Sequence, residues 1–341
     1  MSRSHGRRPR WSLCLFSLAA AVGLVLGTAP AHASPLTPLP QDAFAAVGQV
    51  GPTIVDIDTK MAYQSAVGAG TGIVIGPSTV LTNNHVIAGA TDLSVRSIGS
   101  GQTFGATVIG FDRSHDIAVL QLGGGGLQPA NVGNSDTVTV GQPIVSLGNA
   151  GGAGGTPSAV DGRVAALNQT VSASDALTGS KETLDGLIQV DAAIRPGDSG
   201  GPTVNSANQV IGMNTAASEN YHLGRGQGFA IPINEAMAIA GQIQRGGGSP
   251  TVHIGPTAFL GVGVNDAAGG AGAVVRQVIP TGPAAGAGLN PGEVITSVNG
   301  QPVNSATALT SILDQHHPGE NVTVGLQDRS INVTLADGPP G

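Results

Sequence analysis

Short apolar runs, each bounded by glycine, asparagine, serine or aspartate, recur along most of this chain. Between positions 52 and 233 they read "PTIVDIDT", "GTGIVIG", "STVLTN", "DIAVLQL", "QPIVSLGN", "GLIQVDA", "PTVNSANQVIGMNTA" and "QGFAIPI". Their lengths, β-branched content and turn punctuation predict strands of an all-β domain, a barrel or sandwich rather than a parallel α/β sheet. One helix follows, with Asn234 as a candidate N-cap and Ala236, Ile239, Ala240 and Ile243 at helical spacing before a glycine stop. Residues 246–255, opening on Gly-Gly-Gly-Ser-Pro, read as a flexible linker. Beyond them, "TAFLGVGVND", "GAVVRQVI", "GEVITSVNG" and "ENVTVGLQD" predict strands, with helical stretches at Pro283–Ala287 and Ser305–Gln315. That is a second, smaller α+β domain over residues 256–337. The glycine patches Gly123–Gly126 and Gly151–Gly155 read as surface loops without a direct chemical role.

The first residues change the picture of where the protein acts. Arg3, Arg7, Arg8 and Arg10 precede an uncharged apolar run, Trp11 to Gly27, and Ala31-His32-Ala33 supplies small residues for cleavage. This order predicts a secretory signal peptide over residues 1–33, with an uncleaved anchor as the alternative, and an N-terminal segment over 34–50. Cleavage removes four of the 14 basic residues and none of the 21 acidic ones, leaving a net charge of −11. With Lys60 and Lys181 as its only lysines, such a chain is a poor partner for nucleic acid or an anionic membrane. The only cysteine, Cys14, leaves too, so the exported protein has neither disulfides nor thiolate chemistry. No histidine or acid spacing suggests a metal site, and no cofactor is expected.

The candidate chemistry centres on "AIRPGDSGGPTV", in which Ser199 stands among Gly197, Gly200 and Gly201. With 54 glycines in 341 residues, a glycine-flanked serine carries little weight alone. A serine hydroxyl is a weak nucleophile and needs a base, an orienting carboxylate and donors for the developing oxyanion. His85, in "VLTNNHVIAG", sits just after an apolar strand; taken alone, a structural histidine is the other reading. Asp116, in "RSHDIAVLQL", begins an apolar strand, where an unpartnered acid is costly to bury; an ordinary loop or capping aspartate is the alternative. His115 is its neighbour and points elsewhere, and His222, His253, His316 and His317 lie in polar loop-like contexts. The order His85, Asp116, Ser199 is that of the chymotrypsin-like double β-barrel.

Taken together, "TNNHVI", "HDIAVL", "AAIRPGDSGGP" and "GFAIP" resemble the HtrA/Deg family of secreted serine proteases, most nearly its mycobacterial PepA type. The segment "FLGVGV … GPAAGAGLNPGEVITSVNGQPV" resembles that family's PDZ domain, and the resemblance covers nearly all of Gly51 to Asp337. It implies a chymotrypsin-like double β-barrel protease domain over 51–245, followed by an α+β PDZ domain over 256–337. Ser199 would be the nucleophile, His85 the general base, and Asp116 the group that fixes its tautomer. Backbone N–H groups of Gly197 and Ser199 would form the oxyanion hole. One departure stands out: Asp198 occupies a position where the family commonly has asparagine. In digestive proteases that aspartate pairs with a new amino terminus, but no activation sequence occurs near Ser34, so the role is not carried over. A solvated loop acid, or one bonded to nearby backbone, is the expectation.

The resemblance also implies that the segment before the nucleophile lines the specificity pocket. Ala193 and Ile194 there predict preference for small or medium apolar residues, with Asp191 and Arg195 at the ends. Asn214 and Thr215 are expected to pair with extended substrate, and Met213 either joins them or lies inside a barrel. Leu260, Gly261, Val262 and Gly263 match the loop that takes a peptide carboxylate, so the expected partners are polypeptide substrates and protein C-termini with an apolar last residue. Family members often form trimers; the short start here leaves a homotrimer open. A non-catalytic chaperone-like or peptide-binding protein of the same architecture is the competing reading. An α/β-hydrolase esterase is a third; its histidine should follow the serine in its triad, and no flanking strand–helix alternation supports it.

Overall fold

A computed structural model describes residues 41–174, 181–215, 227–269 and 272–340. The expected leader, residues 1–33, lies outside them, as do His222 and residues 34–40 of the N-terminal segment. The chain enters through a helix that the strand-like patterning did not predict, α1 (Gln41–Val50). Ala43, Ala46 and Val50 lie on its buried face. The signal was present as helical spacing, but in side chains too small to stand out.

The first barrel comprises β1 (Ile54–Met61), β2 (Ala66–Gly76), β3 (Thr79–Thr82), the short helix α2 (Asn84–Ile87), β4 (Asp92–Ser97), β5 (Thr103–Asp112) and β6 (Ile117–Leu122). Pairing of β5 with β6 closes this sheet on itself. The second is a closed barrel of β7 (Pro143–Gly148), β8 (Ser158–Ser174), β9 (Lys181–Val190), β10 (Pro202–Val204), β11 (Val210–Thr215) and β12 (Gly228–Pro232). Consecutive strand residues point to opposite faces, and here both faces find a core. Ile54, Ile73, Leu81 and Val119 join a cluster shared by both barrels and α1. Their neighbours Val55, Val74, Val80 and Leu120 fill the interior of the first barrel. Burial on both faces is why the runs read as continuously apolar instead of alternating.

Helix α3 (Ile233–Gln244) closes the double barrel, with Ala236, Ala240 and Ile243 buried. Asn234 is not its N-cap. The helix starts one residue earlier, and the Asn234 side chain crosses to Asn134 Oδ1 at 2.7 Å and accepts from Ser135 N. The expected flexible linker is also corrected. Within it, β13 (Val252–Ile254) pairs antiparallel with β5 through Gly110, Phe111 and Asp112. His253, expected in a loop, is 4 % exposed and stacks on Phe111. Its ring nitrogens lie 2.6 Å from Asp314 O and 3.0 Å from Pro256 O. Those contacts fix the connection as an added strand.

The smaller domain holds β14 (Thr257–Phe259), β15 (Val262–Asp266), β16 (Ala273–Val278), α4 (Pro283–Gly286), β17 (Val294–Val298) and β18 (Gln301–Pro302). It is completed by α5 (Ala306–Leu313), β19 (Asn321–Leu326), β20 (Ser330–Thr334) and β21 (Ala336–Gly338). Its main sheet runs in the order β15-β16-β17-β19-β20, which leaves β15 at an edge. Ser305 caps α5 by accepting from Ala308 N, and Asp266 accepts from Ala306 N, tying the helix to the end of β15. Arg113, in the turn between β5 and β6, meets Asp314 at the end of α5 through Nε at 3.1 Å and Nη2 at 3.0 Å.

Candidate active site

Two strand ends of the first barrel and two of the second meet at the candidate site. His85 follows β3 and rides on the first turn of α2. Asp116 follows the β5–β6 turn, with a left-handed backbone (φ 55°, ψ 44°) that is uncommon outside glycine but tolerated by aspartate. This places its carboxyl under His85. Nδ1 of His85 lies 2.8 Å from Asp116 Oδ2 and 3.0 Å from Oδ1, and His85 N donates to Oδ1 at 3.0 Å. Asn83 Nδ2 donates to the Asp116 carbonyl at 3.0 Å, so the backbone is held as well as the side chain. The carboxyl is 3 % exposed, whereas the His85 side chain is 40 % exposed. A carboxylate facing Nδ1 requires the proton there and leaves Nε2 as the basic nitrogen.

Thr215 is a residue whose part in this arrangement sequence reasoning missed. It was expected to face substrate, yet its hydroxyl donates to Asp116 Oδ2 at 3.1 Å and the residue is 5 % exposed. Asn214 is corrected similarly. It is fully buried, with Nδ2 donating to Leu147 O, Oδ1 accepting from Thr203 Oγ1, and its backbone paired with Gly200 and Gly201. No group of Asn214 is left for an added strand. Met213 is interior, packed in the cluster shared by the barrels. Residues 216–226, which follow, lie outside the described residues.

Ser199 sits in the loop before β10, where each carbonyl from 196 to 199 accepts a hydrogen bond. Gly151 N donates to Pro196 O at 2.8 Å, Thr71 Oγ1 to Gly197 O at 2.6 Å, Gly201 N to Asp198 O at 3.0 Å, and Thr71 N to Ser199 O at 2.8 Å. Gly197 has φ 95°, and a Cβ there would lie 2.1 Å from Asn149 O. Gly200 has φ 82°, and a Cβ there would lie 2.0 Å from Thr71 O. Both glycines are thus required by conformation and by closeness. The Gly151–Gly155 loop, expected to be a bystander, supports the Ser199 loop directly.

Asp198 is 3 % exposed, so it is not a solvated acid. It does bond to nearby backbone: Arg195 N donates to Oδ2 at 3.0 Å, while Ser158 Oγ donates to Oδ1 at 2.6 Å. Burial pushes its carboxyl above the ordinary carboxylate range, and the Ser158 hydroxyl and Arg195 N–H pull partly back. His115 keeps apart from Asp116, as expected, and faces Asp112 Oδ2 at 2.8 Å.

Before Ser199, Ala192 is buried in the second barrel and Ala193 is exposed. Ile194 lies against Gly228, where a Cβ would come within 2.6 Å of Ile194 Cδ1. Asp191 accepts from Arg163 N on β8, so one of its oxygens is committed to that strand. In the smaller domain, Leu260 is buried and Gly261 has φ 82°. Their carbonyls accept from Ala284 N and Ile279 N. The loop therefore runs directly into the edge strand β15, beside α5.

Comparison with known proteins agrees with this geometry. Residues 70–213 match the model of the trypsin-like peptidase domain, and residues 258–335 match that of the PDZ domain. Serine protease PepD of Mycobacterium tuberculosis is 36% identical over 334 residues, covering 91% of this chain and 70% of that protein. Periplasmic serine endoprotease DegP of Escherichia coli is 35% identical over 284 residues, covering 80% of this chain and 57% of that protein. Among solved structures, the HtrA-type protease AlgW with tripeptide aligns with TM-score 0.52 and 30% identity, over 89% of this chain and 99% of that chain.

Proposed function

This chain belongs to the HtrA/Deg family of PDZ-bearing serine proteases, and we propose that it is an exported endopeptidase working through Ser199, His85 and Asp116. The observation that carries the reading is the His85–Asp116 pair at 2.8 Å, with Thr215 and the His85 backbone on the same carboxylate. His85 Nε2 takes the Ser199 proton as Oγ attacks the scissile carbonyl, then gives it to the leaving amine. Asp116 holds the tautomer and stabilises the imidazolium. The N–H groups of Gly197 and Ser199 receive the oxyanion, and water releases the acyl group from Ser199 Oγ.

Ala193, with Ile194 against Gly228, supports cleavage after small or medium apolar residues such as Val, Ala or Leu. The edge strand β15 supports capture of a protein C-terminus by Leu260, Gly261, Val262 and Gly263, for recruitment or regulation. Residues 1–33 have the order of an export signal, and relatives with periplasmic names support action in the cell envelope or outside it. Assembly as a homotrimer rests on the family resemblance alone.

Residues 34–341 should be labelled by a fluorophosphonate probe, and Ser199→Ala should remove labelling and lower kcat by on the order of 10⁵-fold. Peptides with Val or Ala before the scissile bond should be cut well and those with Arg poorly. Absence of labelling with and without a C-terminal peptide ligand would defeat the enzyme reading, and efficient cleavage after Arg would defeat the pocket.

A further inference from the structure

An oxyanion hole works only if two peptide N–H groups stay aimed at one point through the reaction. In a planar trans peptide the N–H points opposite to the carbonyl of the same unit. The direction of Gly197 N–H is therefore set by Pro196 O, and that of Ser199 N–H by Asp198 O. Each of those carbonyls has its own donor, Gly151 N and Gly201 N. The units that flank them, 197–198 and 199–200, are both held by one residue of the other barrel. Thr71 N donates to Ser199 O at 2.8 Å, and Thr71 Oγ1 donates to Gly197 O at 2.6 Å.

The same hydroxyl accepts from Asn149 N at 2.9 Å. Asn149 opens the glycine loop, its Oδ1 accepts Gly154 N at 2.7 Å, and two residues on Gly151 N holds Pro196 O. Thr71 is fully buried, and its own carbonyl accepts from Thr82 Oγ1 at 2.7 Å. Its backbone N–H, its carbonyl, and both the donor and an acceptor site of its hydroxyl are therefore engaged. The hydroxyl stands where the two loops that shape the oxyanion hole cross, and it bonds to both.

We infer that Thr71 is a positioning residue for catalysis, its hydroxyl fixing the Gly197 peptide and the Asn149–Gly151 loop so that Gly197 N–H stays aimed at the oxyanion. The inference rests on the protease reading and assigns a part to a residue that touches neither substrate nor Ser199 Oγ. Valine keeps the shape of threonine but offers no donor to Gly197 O and no acceptor to Asn149 N. Serine keeps both.

The test is a comparison of Thr71→Val and Thr71→Ser with wild type. Thr71→Val should lower kcat by on the order of 30-fold with KM within about 2-fold, the size of loss expected from a small misplacement of catalytic groups. A peptide boronic acid, which forms a tetrahedral adduct with Ser199, should lose affinity in the same proportion. Binding of an uncleaved peptide in a Ser199→Ala background should stay the same. Thr71→Ser should return kcat to within about 3-fold of wild type. Melting curves establish that each variant is folded at the assay temperature.

Wild-type kcat in Thr71→Val, or equal impairment of both variants, overturns the inference. So does a loss of uncleaved-peptide binding that matches the loss of boronate binding. A wild type that neither labels nor cleaves overturns the protease reading and this inference with it. An active wild type matched by an equally active Thr71→Val overturns this inference alone.

Discussion

At the scale of single residues, the least expected feature is a buried acid next to Ser199, the proposed nucleophile. Asp198 takes hydrogen bonds from two neutral donors, and burial raises its pKa. Such a group binds its proton more tightly in the folded chain than in the unfolded one. Its contribution to stability is fully present below the unfolded-chain value and is lost as pH rises through the raised folded value. Asparagine avoids that loss. Its amide donates to Ser158 Oγ, and Ser158, 3.0 Å from Gly148 O, turns its own proton to that carbonyl. Asp198→Asn should therefore melt a few degrees above wild type at pH 7, and the two curves should converge as pH falls below about 4. Thermal scans across pH decide this, and a difference that grows toward acid pH contradicts the assignment. The sequence marked Asp198 as a departure but not as buried, because the covering groups, Ser158 and Gly148, come from β8 and β7, about 40 and 50 positions away.

Among the elements, α1 and β13 show how small features of the sequence acquire structure from their surroundings. Isolated ten-residue helices are marginal in water, so α1 depends on the apolar face it lays on the shared core. Among the described side chains of α1, Val50, 4 % exposed, is the largest buried one in that cluster. Val50→Ala should cost about 1–2 kcal/mol in denaturant unfolding while leaving fluorophosphonate labelling of the folded protein unchanged. An unaltered unfolding midpoint would mean that α1 does not pack there in solution. In β13, glycines and a proline suggested flexibility, but the three residues after them complete the edge of β5 and bury His253. Local composition specifies where the chain turns; the open edge of β5 specifies where it docks.

Across the whole molecule, the two domains are held by contacts that lie close to the site. Arg113 stands three residues before Asp116, and its ion pair with Asp314 leaves the two side chains only 18 % and 17 % exposed. Between the extremes of exposed and fully buried pairs, a coupling of roughly 1–2 kcal/mol is expected from a double-mutant cycle with Arg113→Ala and Asp314→Ala. Additive effects would show that the pair contributes no linkage between the domains. The sequence by itself determined the strand-rich character, the two-domain order and the trio His85, Asp116 and Ser199. Each of these is written in local periodicity, turn chemistry or motif order. It also supplied Gly197 and Gly200, whose necessity follows from tight turns beside Ser199. Only the tertiary structure decided that Asn214 is buried, that Thr215 bonds to Asp116, that Gly151 braces Pro196, and that Thr71 bridges two loops. Each of those roles depends on a hydrogen bond spanning 45 to 126 positions of chain, and no local pattern encodes which distant donor meets which acceptor.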